Sequence, residues 1–159
     1  RELRIDSGDV QAGGMLNISW EDWNLGGHST ATAFADRIVV RNLDTAQLLL
    51  DTSVTYDPLA STAGQINGPI GPGEHRERSF SFRLPLGLRG TGNIEVSITT
   101  DQDRSGLGVV FESNAGDDAE SNNSTSVQLL SATSAKKRET RSPRFRRSLL
   151  THVSCNREG

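Results

Sequence analysis

Apolar residues recur at every second position in a series of short runs, and glycine or proline breaks the chain between them. In Met15-Leu16-Asn17-Ile18-Ser19-Trp20 one face is Leu16, Ile18 and Trp20; in Arg78-Ser79-Phe80-Ser81-Phe82-Arg83-Leu84 it is Phe80, Phe82 and Leu84; in Asn93-Ile94-Glu95-Val96-Ser97-Ile98-Thr99 it is Ile94, Val96 and Ile98. A period of two places these side chains on one side of a pleated strand, half buried and half wet. Phe34-Ala35-Asp36-Arg37-Ile38-Val39-Val40-Arg41 is β-branched and reads as a central strand. Leu3 to Val10, Val109-Val110-Phe111 and Ser126-Val127-Gln128-Leu129-Leu130 read as further strands, while Leu48-Leu49-Leu50 is ambiguous by periodicity. Between Asp57 and Gly73 three prolines and four glycines predict a long loop or edge crossing. No stretch between the strands carries a helical apolar stripe. Seven or eight short strands within about 130 residues predict an all-β antiparallel sandwich.

Charge divides the chain in two. Residues 1–134 hold 9 arginines, no lysine and 18 acids, a formal −9, whereas residues 135–159 hold 8 Lys+Arg against Glu139 and Glu158, a formal +6. The second segment contains only six residues of the apolar set. So little apolar surface cannot offset the entropy of ordering, which predicts a sandwich over 1–134 and a disordered basic tail over 135–159. An acidic body argues against nucleic acid as the main partner. No apolar run approaches the length of a membrane span. The lone Cys155 excludes an internal disulfide framework and a thiolate zinc cluster. An Arg1 start without a basic-then-apolar leader predicts a fragment or a mature segment.

The order of several short elements resembles the bacterial cell-adhesion-related domain CARDB. They are Trp20, Asn24-Leu25-Gly26, Phe34-Ala35-Asp36-Arg37, Pro72-Gly73, Phe82-Arg83-Leu84-Pro85, Gly90, Thr100-Asp101, Glu112 and Asn122-Asn123, in sequence over about 110 residues. The stretch from Asp101 to Asn123 is longer than the family pattern. The resemblance implies an immunoglobulin-like sandwich, used as a spacer or binding unit in exported or surface proteins of bacteria. It also implies an extracellular location, with neighbouring domains of the same polypeptide as partners and a cell-surface protein or glycan as a further one.

Residues 101–112 match the calcium-loop template D-x-[DN]-x-[DNS]-G-x5-E. Asp101, Asp103 and Ser105 alternate around a turn, Gly106 permits the bend, Leu107 offers its carbonyl, and Glu112 closes the set, which is the hard-oxygen chemistry Ca²⁺ takes. Against that, the flanks read as strands, and Gly108 stands where such loops carry an apolar anchor. Asp, Ser and Gly are equally the residues of a plain hairpin, so both readings stand at this point. No nucleophile and base pattern is present: His28 lies in a glycine loop and His75 in a charged strand entry. The sequence therefore predicts a non-enzymatic module. Trp20 is in phase with the core, whereas Trp23 falls beyond the alternating run and is a candidate sugar contact. An accessory carbohydrate-binding module of a secreted hydrolase is the alternative reading.

Overall fold

The computed structural model describes residues 2–62, 65–110 and 123–134. Nine strands appear in chain order: β1 (Arg4–Ile5), β2 (Met15–Trp23), β3 (Phe34–Asn42), β4 (Gln47–Tyr56), β5 (Ser61–Thr62), β6 (Gln65–Ile66), β7 (His75–Arg83), β8 (Gly92–Thr99) and β9 (Ser124–Ser131). They form a three-stranded sheet in the order β1-β2-β7, a four-stranded sheet in the order β4-β3-β8-β9, and the small hairpin β5-β6. Every pairing within the sheets is antiparallel. The chain crosses between the two main sheets after β2, after β4 and again after β7, through a single 3-10 turn at Gly87–Gly90. This is the immunoglobulin-like sandwich.

Alternation explains the core. Leu16, Ile18 and Trp20 from the first sheet meet Ile38, Val40, Ile94, Val96 and Ile98 from the second, all 2% exposed or less. Burying side chains of this size contributes roughly 1.5–3 kcal/mol each. Phe80 and Phe82 point inward as their period predicts, half buried, and Leu84 is fully covered. Phe34, Tyr56 and Ile70 form a smaller cluster nearer the Trp23 end of the sandwich, with Val110 packed against it.

The ambiguous Leu48-Leu49-Leu50 run lies in the edge strand β4. Two expected strands differ. Only Arg4–Ile5 of the Leu3 to Val10 stretch is paired as a strand with β2. The chain then leaves that sheet, and Gln11 makes a parallel bridge to Ala132 just beyond β9. Val109-Val110 is not a strand: both amides turn inward to the carboxylate of Asp101 instead of to a neighbouring backbone. Phe111 lies outside the described residues, as do Glu112, Asn122 and the segment 135–159 expected to be a basic tail.

Candidate functional site

Every residue singled out for chemistry in the sequence, so far as it is described, sits at one end of the sandwich. Here β2 ends, β3 and β7 begin, and the loop after β8 starts. The Asp101–Val110 loop folds around its own two acids. Asp101 adopts the left-handed region at φ 52° and is 8% exposed. Its Oδ1 accepts from the Val109 amide at 3.0 Å and its Oδ2 from the Val110 amide at 2.7 Å. Gly108 allows this closure, because a Cβ there would stand 2.5 Å from the Asp101 carbonyl oxygen and 2.7 Å from its Oδ2. That contact explains a glycine where a calcium loop carries an apolar side chain.

Asp103 organises the tip. Its Oδ1 accepts from the Ser105 amide at 2.8 Å, from the Ser105 hydroxyl, and from the Leu107 amide at 3.1 Å. These donors, the Ser105 hydroxyl foremost, hold the Asp103 carboxyl below its ordinary range. The Leu107 carbonyl, the backbone ligand of the template, accepts the Asp103 amide at 3.0 Å. Gly106 takes φ 84° at the bend. Asp101, Asp103, Ser105 and Leu107 are thus brought into one loop, with each acid satisfied by N–H donors from its own backbone. Among the described residues no three His, Cys, Asp or Glu side chains gather in a metal-holding group. An open cleft of about 460 Å³ runs between this loop and the ends of β8 and β9, lined by Thr99, Gly106, Val110 and Ser124.

Trp23 is 39% exposed on the outer face of the first sheet. It stacks on His75, its register partner on β7, with ring centroids 4.4 Å apart and 19° between planes. Its indole Nε1 donates to Glu21 Oε2 at 2.8 Å, which lowers the Glu21 carboxyl. Trp20 is buried, so the described aromatics make one stacked pair on this face and not a row.

Behind that pair lies a cluster the sequence reading missed. Asp22 on β2, Asp36 on β3 and Arg78 on β7 all point between the sheets; Asp22 is 2% exposed and Asp36 fully buried. Arg78 Nη1 donates to Asp22 Oδ2 at 2.8 Å and to Asp36 Oδ2 at 2.9 Å. Arg78 Nη2 donates to the Val54 carbonyl at 3.2 Å. The guanidinium also lies over the rings of Trp20 and Tyr56, at 5.6 and 5.2 Å from their centroids. Trp20 Nε1 donates to Asp36 Oδ2 at 3.2 Å, and Thr100 Oγ1 to Asp22 Oδ1 at 3.4 Å. Burial raises the Asp22 carboxyl; burial and then the charge of Asp22 push Asp36 up to about 8. The signal was present in the alternation. Asp22 continues the phase of Leu16, Ile18 and Trp20; Asp36 falls between Phe34 and Ile38; Arg78 precedes Phe80 and Phe82.

No protein-family model and no curated protein matches the chain. Solved structures do. The CARDB domain of a Pyrococcus furiosus protein, crystallised in complex with di-metal ions, matches 77% of this chain and 78% of its own, at 15% identity and a TM-score of 0.46. Its solution structure matches 83% of this chain and 94% of its own, at 16% identity and a TM-score of 0.47. The chain is similar to CARDB domains. A third likeness is to beta-glucosidase 3B of Thermotoga neapolitana in complex with alpha-D-glucose, at 14% identity and a TM-score of 0.43. It covers 82% of this chain but 15% of that enzyme. No helix among the described residues is long and apolar enough to cross a membrane.

Proposed function

We propose that this chain is a non-enzymatic, immunoglobulin-like module of a larger exported bacterial protein, serving as an adhesion-related spacer or interaction unit. One observation carries the spacer part. Arg4 pairs with Ser19 and reaches Glu21, so the chain enters beside the Trp23 half of β2, while β9 finishes at the opposite end, opposite Gly92. The larger core cluster joins both sheets between entry and exit. Such a unit transmits position from one neighbour to the next and displays its loops without moving parts. The CARDB-like order of motifs in the sequence supports the extracellular setting and the neighbouring domains as partners.

The exposed Trp23 and His75 stack favours one second reading, an accessory carbohydrate-binding module. A sugar ring packs on an exposed aromatic face, and Glu21 and Glu77 stand opposite one another on the same sheet to accept its hydroxyls. A glycan screen on the full chain, paired with Trp23→Ala, separates the two. A spacer whose partners are its protein neighbours gives no retention above background. Saturable retention lost in Trp23→Ala replaces it with the sugar-binding one.

A further inference from the structure

Two carboxyl groups and one guanidinium meet in the seam between the sheets, where water does not reach. With both acids ionised the cluster carries a net negative charge inside a core, the arrangement that costs most in a medium of low polarity. Asp36 Oδ1 is buried with no hydrogen-bond partner, although its neighbour Oδ2 accepts from both Trp20 and Arg78. An unpartnered oxygen is expensive on an anion and far less so on a neutral acid. A single Arg78 Nη1 also donates to both carboxyls at once, so one cation serves two acids.

We propose that Asp22 and Asp36 hold one proton between them, and that this proton keeps the Trp23 end of the sandwich closed. Among the described residues, each element packed on Asp36 contributes a known group. β2 presents Asp22 and the Trp20 indole, β7 presents Arg78, and β4 presents Tyr56 and the Val54 carbonyl. Thr100, just past β8, reaches the Asp22 side of the pair. The only charges among these are Asp22 and Arg78. Loss of the proton sets two like charges against each other across the seam, one from each sheet. Arg78 cannot neutralise both. The sheets then part at this end, and the loop that starts at Thr100 is released from Asp22.

The sign follows from linkage. Asp36 has an unfolded value near 3.8 and a folded one near 8. The folded state binds more protons than the unfolded throughout that window, so stability falls as pH rises across it and levels off above about 8. The test is carboxyl ¹³C NMR of the full chain from pH 5 to 10, read together with the Trp20 indole N–H resonance and the melting temperature. An Asp36 carboxyl titrating near 8, with the Trp20 indole signal moving at the same midpoint, is the expected result. The melting temperature of the wild type should fall by several degrees over pH 6 to 9 and stay level in Asp36→Asn, whose amide is the neutral isostere. If Asp36→Asn does not fold, Asp22→Asn takes its place and removes the same repulsion. An Asp36 carboxyl already ionised at pH 5, or a Trp20 signal constant from pH 5 to 10, overturns the proposal.

Discussion

The two ends of the sandwich close by different chemistry. At the end where β3 runs into β4, the anchor is neutral: the Asn42 amide, fully buried, donates to the carbonyls of Arg89 at 2.9 Å and Thr91 at 2.8 Å. Its Oδ1 accepts from the Thr45 amide at 3.1 Å. At the Trp23 end the anchors are carboxylates, Asp101 for the loop after β8 and the Asp22, Asp36 and Arg78 cluster for the seam. Both arrangements join separate parts of the chain, but the amide finds a partner for each of its polar atoms whereas the carboxyl cluster leaves Asp36 Oδ1 without one. An amide performs that task without a charge to desolvate, so the Asn42 anchor itself has no proton to lose; the exposed Asp44 beside it accepts from the Asn93 side chain and amide, which hold its carboxyl below the ordinary range and so ionised at neutral pH. The carboxylate end depends on where its protons are.

The largest break in that contrast comes from Arg78→Ala. It strands two buried acids, and we expect a loss of about 3–5 kcal/mol at neutral pH by urea unfolding. The loss shrinks at pH 5, where the acids can take protons; an equal loss at both values would show that Arg78 acts through packing over Trp20 and Tyr56 and not through charge. Asn42→Ala comes next, at about 1–3 kcal/mol, because the carbonyls of Arg89 and Thr91 lose their donor. That cost should be the same at pH 6 and pH 9. A pH-dependent value would erase the difference between the ends. The smallest expected effect is that of calcium. With the Asp101 and Asp103 carboxylates already satisfied by backbone amides, millimolar CaCl₂ should leave the melting temperature where EDTA leaves it. A rise of several degrees that disappears in Asp103→Ala would mean the loop exchanges those amides for a cation.

Most of the fold is legible from alternation alone, and the reason is physical. β2, β7 and β8 each have one dry face and one wet one, and a period of two records this in Leu16, Ile18 and Trp20 or Ile94, Val96 and Ile98. Where the dry face is partnered by side chains instead of strands, the reading fails. Val109 and Val110 look like a strand because they are β-branched, yet their amides bond to one carboxylate contributed eight and nine residues earlier. The Arg4–Ile5 strand is short because the chain changes sheets after it. The buried cluster was hidden for another reason. Asp22, Asp36 and Arg78 each occupy an inward phase, but a charge at such a position reads as an interruption of the strand until its partners on two other strands are known. Three inward-phase charges of mixed sign in one sandwich are themselves a signal.

The change of sheet near the start of the chain also sets the direction in which a pull on the chain would meet its hydrogen bonds. Residues 10–12 and the exit of β9 run parallel, joined by the bonds from the Ala12 amide to the Ala132 carbonyl and from the Ala132 amide to the Val10 carbonyl, both 2.9 Å. Tension applied between the entry and the exit pulls these two segments past each other along their length. The two bonds are then strained in shear and must yield together, instead of opening one after another as in an unzipped hairpin. The parallel patch therefore has the geometry of a clasp loaded in shear.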